Sequence, residues 1–481
     1  MSLLFILLPF IGSLLAFLLR GPAVRQVALA VTVANLAITA FCGLSFDQNQ
    51  ADNWAFQLPW VPGAGIHFAL SLDGVSLLMV LLTNLLAPLI VLSSFSRTFD
   101  NESRYYGLVL LMLGALNGVF LATDGLLFYI FYELALIPIY FICAIWGGQD
   151  RIRVTLKFFI YTFIGSLFML LSLLYVYLQT PGTHSFAWAD LVAVQLSPNA
   201  AGWVMLGFFL AFAVKMPVFP FHTWQPDTYT TAPTGGTMLL AGIMLKMGIY
   251  GVIRWMVPLS PEAWSTWSPV FITLAVIGIV YASLIAVKQG DLKRLLAYSS
   301  IAHVGLIAAG VLAWNKTGMQ GGLIQMLSHG INVVGLFCVA DLIERRLGTR
   351  SLADLGGIAK SAPKFATLFM IIMLGSVAVP LTNGFVGEFL LLNGVWNYNF
   401  WLGAVAGLTI IYGAVYMLRA YGMAMFGETN AETARFADVT TREGLVLGTI
   451  ATLVLVLGFF PQVILNLTDG SVNRILGAVQ F

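Results

Sequence analysis

Apolar residues recur in runs of about twenty along nearly the whole chain, and short polar segments separate the runs. A helix of that length crosses roughly 30 Å of hydrocarbon, so each run is long enough to span a lipid bilayer. The pattern predicts an all-α membrane protein with about fourteen transmembrane helices. They are expected at residues 2–20, 24–44, 73–96, 104–122, 124–146, 154–179, 201–224, 232–257, 267–288, 292–313, 320–344, 363–396, 399–426 and 442–467.

Two of the predicted helices, the seventh and the twelfth, contain residues that interrupt a helix. Pro217 and Pro220 fall within one turn of the seventh, and PLTNGFVG at 380–387 places Pro, Asn and two Gly within the twelfth. Proline removes an amide donor, which a membrane tolerates only where the freed carbonyls are buried in protein or line a hydrated cavity. Both segments are therefore predicted to be broken helices.

The two breaks also indicate an internal repeat. Pro217 and Pro380 lie 163 residues apart, close to the offset between helices 4–8 and helices 9–13. A block of five helices reverses direction, so the second repeat must be inverted, an arrangement that recurs in transporters with the ion site at the breaks. The predicted divisions are an N-terminal part at 1–103, a first repeat at 104–257, a second inverted repeat at 258–426 and a C-terminal helix at 427–481.

Lysine and arginine concentrate in every second predicted loop. The odd-numbered loops hold 18 of the 23 basic residues, and Lys293 is counted among them in the ninth loop. Arg254 is counted in the eighth loop, which is even-numbered. Because positively charged loops remain on the cytoplasmic side, the odd loops are expected inside and both termini outside. The outer segment FQLPWVPGAGIHFAL can form a short hairpin over the outer face.

Composition agrees with a membrane protein and excludes other classes. The 481 residues are 59% hydrophobic and 9% charged, whereas soluble domains have about 25% charged residues. The net charge of +2 comes from scattered basic residues that form no nucleic-acid-binding face. The three cysteines lie in apolar runs without CxxC spacing or a nearby histidine, so neither a disulfide nor a metal site is predicted.

Seven ionisable side chains fall well inside the predicted spans. A lysine at membrane depth costs at least roughly 2.5 to 3.5 kcal/mol, which makes Lys215 and Lys246 the leading functional candidates. The others are Glu133, His222, His303, His329 and Glu388. A single buried histidine or glutamate is often only a hydrogen-bonded core residue, but seven at one depth would form a lateral chain of titratable groups. No nucleotide, phosphate or nucleophile motif accompanies them, so proton or cation handling remains.

The segment 215–254 resembles the signature of the antiporter-like membrane subunits of respiratory complex I and of multisubunit sodium/proton antiporters: KMPVFPFHTWQPDTYTTAPTGGTMLLAGIMLKMGIYGVIR. YELALIPIYF is similar to the fifth helix of that family, and the similarity extends over essentially the whole chain. GFVGEF at 384–389 resembles the M type (chain 4 type) of NADH:quinone oxidoreductase, since Glu388 stands where most relatives have lysine. ERRLGTR at 344–350 is likewise similar to the M type.

The resemblance implies a proton-translocating subunit of NADH:quinone oxidoreductase in a bacterial inner membrane, beside other antiporter-like membrane-arm subunits. It implies no cofactor in this chain, with NADH, FMN, iron–sulfur clusters and quinone in partner subunits. It also implies residue roles. Glu133 and Lys215 form a coupling pair, and Lys246 is the central proton carrier. His303 and His329 are relays, Glu388 is the terminal group of the channel, and His222 is a candidate further relay.

Two departures and two alternatives stand beside this interpretation. Tyr229 occupies a position where the family usually has histidine, and Asn332 one where several relatives carry lysine. One alternative is the D-type subunit of a multisubunit sodium/proton antiporter, against which Glu388 argues. The other is a passive membrane scaffold, against which the buried charges argue.

Overall fold

The structure, a computed structural model, describes residues 1–182 and 184–479 and is predominantly helical. Twelve helices within this part of the chain are long and apolar enough to cross a membrane. Two further apolar helices, Leu4–Leu18 and Pro363–Ser376, are shorter. The predicted all-α membrane class is confirmed, whereas the count of fourteen spans and the inverted repeat stay predictions.

The N-terminal part combines four helices with one β-hairpin. Its elements are α1 Leu4–Leu18, α2 Ala23–Leu44, β1 Asn53–Val61, β2 Ile66–Leu72, α3 Gly74–Ser94 and α4 Glu102–Leu121. Strands β1 and β2 pair antiparallel, which confirms the predicted hairpin. The hairpin covers the ends of neighbouring helices, because β2 bridges to Ala122 and the His67 amide donates to Asp124. This side of the bundle is called the hairpin face below.

The next part contains the first predicted break. Its helices are α5 Gly125–Leu134, α6 Leu136–Trp146, α7 Arg151–Gln179, α8 Trp188–Val192, α9 Pro198–Lys215, α10 Gln225–Thr231, α11 Thr234–Leu239, α12 Lys246–Gly251 and α13 Val257–Leu259. Helix α9 ends at Lys215 and α10 begins only at Gln225, so the helix is broken around Pro217 and Pro220 as predicted. Two π-helical turns, Leu240–Met244 and Val252–Met256, join α11, α12 and α13 into one continuous helix.

The remaining part contains the second break. Its helices are α14 Trp264–Lys288, α15 Leu292–Leu312, α16 Lys316–Leu347, α17 Ile358–Ser361, α18 Pro363–Ser376, α19 Asn383–Tyr398, α20 Phe400–Ala406, α21 Leu408–Met425, α22 Thr441–Phe459 and α23 Gln462–Ala478. Between α18 and α19, Ala378 and Leu381 have φ of 57° and 72°. This left-handed backbone costs non-glycine residues about 1 to 2 kcal/mol each. The helix predicted at 442–467 is instead two helices, because Pro461 follows the end of α22.

Two long helices are the most deeply buried spans of the bundle. Thr234–Leu259 and Lys316–Leu347 are buried along their entire apolar windows. Helix α7, in contrast, exposes large apolar side chains such as Leu156, Ile160 and Ile164. Lipid tails are as apolar as these side chains, so such a face is stable against the bilayer. The polar groups of the interior helices are therefore shielded from lipid.

Helices α16 and α19 approach each other closely at two glycines. A Cβ atom on Gly394 would lie 2.5 Å from Cα of Gly318, and a backbone atom cannot move aside as a side chain can. We expect Gly394→Ala to destabilise this packing by about 1 to 3 kcal/mol, because overpacking forces the helices apart. The measurement is the melting temperature of the purified protein.

The matched control is Gly448→Ala in α22. A Cβ atom on Gly448 would meet no described atom within 4 Å. Alanine favours a helix over glycine by roughly 1 kcal/mol, so this variant is expected to melt at or above the wild-type temperature. Equal melting of both variants and the wild type would contradict a role for the close approach.

Candidate functional site

Lys246 lies near the middle of the helix Thr234–Leu259 and is almost completely buried. At 1.5 Å per residue it is about 18 Å from the start of that helix. The π-helical turn Leu240–Met244 precedes it, and the Lys246 Nζ donates to the Ala241 carbonyl oxygen at 2.6 Å. The same Nζ lies 2.9 Å from Nδ1 of His329. π-helical turns are frequent at functional sites, and this one presents a carbonyl group to the lysine.

His329 connects Lys246 to a third helix. Its Nδ1 faces Lys246, and its Nε2 lies 3.2 Å from Oγ of Ser300 in α15. An ammonium group can only donate, so a protonated Lys246 requires Nδ1 to accept and Nε2 to carry the hydrogen. A lysine, a histidine and a serine from α12, α16 and α15 therefore form one continuous hydrogen-bonded relay.

A second contact pairs His303 with Glu388. Nδ1 of His303 lies 3.0 Å from Oε1 of Glu388, and both side chains are buried. Gln325 donates its side-chain amide to the same carboxylate oxygen at 3.3 Å. The rings of His303 and His329 are 6.0 Å apart between centroids. The two contacts therefore lie side by side, contributed by α15, α16 and α19.

A small cavity lies between the two histidine contacts. About 10 Å³ of it is open to the centre of a water molecule. That is close to the space that one water needs. Its lining is mainly polar and includes His303, His329, Ser299, Ser300, Gln325 and Asn332. The cavity can therefore hold a polar bridge between the two contacts.

Glu133 and Lys215 lie apart from this relay. Lys215 is buried at the end of α9, and its Nζ lies 4.9 Å from the centre of the Tyr132 ring. Glu133, the next residue along α5, is close enough to interact electrostatically with Lys215. No described residue forms a hydrogen bond to Lys215 Nζ, so no direct bond joins it to Lys246. The structure thus brings the predicted residues together in two groups.

His222 lies within the break between α9 and α10. Its ring stacks on Phe219, with centroids 5.8 Å apart, and lies edge-on to Tyr281 at 5.1 Å. These contacts do not link it to either group, and its role as a relay stays a prediction. Tyr229, the departure from the expected histidine, is buried with its hydroxyl group unpaired among the described residues.

Sequence patterns missed several polar residues of the interior. Lys293, assigned to a loop, is buried in the first turn of α15 and donates to the Ala232 carbonyl oxygen at 2.8 Å. Arg254, also assigned to a loop, forms a 2.6 Å ion pair with Asp73. Both loop assignments are wrong, because Arg254 lies in the helix Thr234–Leu259 and Lys293 in α15, within the predicted spans 232–257 and 292–313. A lysine or arginine within one turn of an apolar run is the signal that could have identified them.

Metal binding is a further possible use of acidic and histidine side chains. Within residues 1–182 and 184–479, no three His, Cys, Asp or Glu side chains are grouped so that they could hold a metal ion. His303 and Glu388 form a pair without a third ligand of these types.

The chain is similar to known membrane proteins in sequence and in fold. The family model described as NADH:quinone oxidoreductase/Mrp antiporter, TM, matches residues 122–413. The chain is 41% identical over 460 residues to NADH-quinone oxidoreductase subunit M of Rickettsia conorii, covering 94% of this chain and 92% of that relative. It is similar over the full length of both chains to respiratory complex I from Thermus thermophilus with bound NADH, with a TM-score of 0.92 and 32% identity. The Mrp complex from Dietzia sp. DQ12-45-1b shares the fold at a TM-score of 0.89 and 21% identity, over 99% of each chain.

Proposed function

Since the chain belongs to the NADH:quinone oxidoreductase/Mrp antiporter membrane family, we propose that it translocates protons as the M-type membrane subunit of NADH:quinone oxidoreductase. The observation that carries this proposal is the hydrogen-bonded relay from Lys246 through His329 to Ser300. His329 and Ser300 can each give up one hydrogen while accepting another, and Lys246 can lose its proton and later regain one, which are the properties that proton transfer requires. The chain takes part in an enzyme as a subunit, and electron transfer belongs to its partners.

The relay has a candidate end at Glu388. Its carboxylate accepts from Gln325 and lies against His303, so a proton arriving at His303 has an acceptor within hydrogen-bonding distance. The cavity beside the two histidines supports a step from His329 to His303. In this proposal Lys246 is the carrier, the two histidines are relays and Glu388 is the terminal group.

Glu133 and Lys215 are proposed to couple this relay to the rest of the enzyme. A nearby carboxylate favours the protonated form of a buried lysine, and burial favours the neutral form. A proton moved against about 150 to 200 mV needs roughly 3.5 to 4.6 kcal/mol. Two unit charges about 5 Å apart interact by about 3 kcal/mol at an effective dielectric constant of about 20, so nearly complete separation of the two charges supplies energy close to that size.

The placement of the chain follows from the same proposal. In the two inverted five-helix repeats, Glu133, Lys215 and Lys246 belong to the first and His303, His329 and Glu388 to the second. Both termini and the hairpin face lie outside a bacterial inner membrane. Neighbouring antiporter-like subunits of the membrane arm are the partners. NADH, FMN, iron–sulfur clusters and quinone are bound by other subunits, which supply the energy.

The test of this function is His329→Ala in the assembled enzyme in proteoliposomes. The change removes both contacts of the relay, so NADH-driven proton uptake per electron is expected to fall at least about tenfold along this path, the size typical of losing a proton-transfer group. Proton and sodium movement are recorded separately, and NADH oxidation by a water-soluble acceptor checks that the peripheral part is intact.

The matched control is His184→Ala, a histidine that lies outside the bundle interior and contacts Thr180 and Tyr177. It is expected to leave the proton-to-electron ratio unchanged. Unchanged pumping in His329→Ala would end the relay proposal, and sodium movement in place of proton movement would favour the antiporter alternative.

A further inference from the structure

A buried ion pair lies beyond Lys246 on the same helix. The Arg254 Nη2 is 2.6 Å from Oδ2 of Asp73, and both side chains are largely shielded. Asp73 also caps the first turn of α3 by accepting from the Ser76 amide. Trp188 donates its ring nitrogen to the Arg254 carbonyl oxygen at 2.8 Å. The arginine is thus fixed at both its main chain and its side chain.

Tyr250 lies between Lys246 and this pair. It is one helical turn from Lys246, and its hydroxyl donates to the Phe120 carbonyl oxygen at 2.9 Å. The same hydroxyl lies 3.4 Å from Nε of Arg254. Arg254 itself belongs to the second π-helical turn, Val252–Met256, so π-helical turns lie on both sides of the Lys246 helix segment. Such turns are frequent at functional sites.

The pair also borders a cavity under the hairpin. This cavity has a volume of about 510 Å³, and its charged and histidine side chains are Asp52, His67, Asp73, Asp124, Arg254 and Arg474. Asp52 is exposed, so the cavity is open to the hairpin face. Arg254 is eight residues from Lys246, which is about 12 Å along the helix. The ion pair therefore lies between the open cavity and the proton carrier.

We propose that Arg254 and Asp73 form the outer gate of the proton path. This inference rests on the proposed function and adds to it a second branch from Lys246, beside the lateral branch that ends at Glu388: a release route to the hairpin face with a barrier against return. A fixed positive charge in a narrow path repels an incoming proton. The guanidinium group is suited to this task because it stays protonated at all relevant pH values.

Release through the gate transfers one proton and changes no oxidation state. Lys246 loses a proton and becomes neutral, and the Asp73 carboxylate gains it and becomes a neutral carboxyl group. A neutral carboxyl group no longer compensates the charge of Arg254, so the pair loosens. Asp73 then gives the proton to solvent on the hairpin face, and the restored carboxylate closes the pair again.

The test measures passive proton entry into proteoliposomes that contain the assembled enzyme without NADH, under an imposed potassium diffusion potential. Arg254→Gln removes the positive charge that forms the barrier. The double variant Asp73→Asn with Arg254→Gln also removes this charge but leaves no unpaired carboxylate, so it is less disruptive to assembly. Both are expected to raise passive proton entry at least about tenfold, because without the guanidinium charge solvent from the cavity can take the place of the Asp73 acceptor. Asp73→Asn alone keeps the barrier but lacks the acceptor, so it is expected to pump poorly without leaking.

Further variants separate failure of the gate from failure of the proposed function. Lys246→Ala added to Arg254→Gln is expected to abolish the leak, since the open path then lacks its carrier. The control Lys316→Gln removes an outer ion pair with Asp469 away from the cavity and is expected to change neither quantity. Passive entry at the wild-type level in the double variant, or a leak that survives Lys246→Ala, overturns the gate. Normal NADH-driven pumping in Lys246→Ala alone overturns the proposed function instead.

Discussion

Replacing Lys246 by either alanine or arginine is expected to stop NADH-driven proton translocation along this path. Alanine removes the ammonium group that contacts both the Ala241 carbonyl oxygen and Nδ1 of His329. Arginine keeps the positive charge but does not release its proton, so it can replace a structural charge and cannot replace a carrier. The measurement is the number of protons moved per electron in proteoliposomes, with electron transfer from NADH to a water-soluble acceptor as the check on assembly.

The arginine variant separates two roles that alanine alone cannot separate. Wild-type pumping with arginine would show that Lys246 serves as a fixed charge, and the carrier assignment would then be wrong. Lys316→Arg, a change of the same kind at a half-exposed lysine on the hairpin face, is the matched control and is expected to pump normally. A loss in both arginine variants would point to a general defect in assembly.

The helices and the candidate residues could be predicted because the bilayer imposes simple rules. Apolar runs have to be long enough to span it, and an ionisable side chain within such a run is costly enough to stand out. Lys215, Lys246 and Glu388 are recognisable on that ground alone. The break near Pro217 is predictable for a related reason, because proline removes a hydrogen bond that lipid cannot replace.

The contacts within the site could not be predicted, because they depend on how helices distant in the chain pack together. Ser300 and Gln325 are ordinary polar residues in their own helices, and only the packing of α15, α16 and α19 places them at His329 and Glu388. The π-helical turn before Lys246 has no sequence pattern that distinguishes it from the surrounding helix. The burial of Lys293 could not be predicted either, since counting loop charges assigns this residue to a loop although helix packing buries it.

The division of the ionisable residues into two groups has a mechanistic consequence. The contacts from Lys246 to Ser300 and from His303 to Glu388 are formed in one arrangement of the helices. Lys215 has a cation–π contact with Tyr132 and no hydrogen bond among the described residues. The Glu133 and Lys215 pair is therefore expected to act on the relay through charge, since no hydrogen bond among the described residues links Lys215 to it.

Neutralising the Glu133 and Lys215 pair is expected to show strong coupling between the two residues. Glu133→Gln and Lys215→Met should each reduce the protons moved per electron at least about tenfold, because either change removes one charge of the proposed electrostatic switch. The double variant should be no worse than the more severe single variant, since residues that act as one unit have non-additive effects. Proton translocation in all three variants, measured in the same proteoliposomes as for Lys246, completes a double-mutant cycle.

The control cycle uses another ion pair near the same broken helix. Lys157 and Asp227 are partly exposed and 3.2 Å apart, and exposed pairs contribute at most about 1 kcal/mol. Lys157→Gln, Asp227→Asn and their combination are expected to pump at wild-type ratios. Additive losses at Glu133 and Lys215 would mean that the two side chains act separately, because a switch that depends on the distance between two charges is already disabled when one charge is gone.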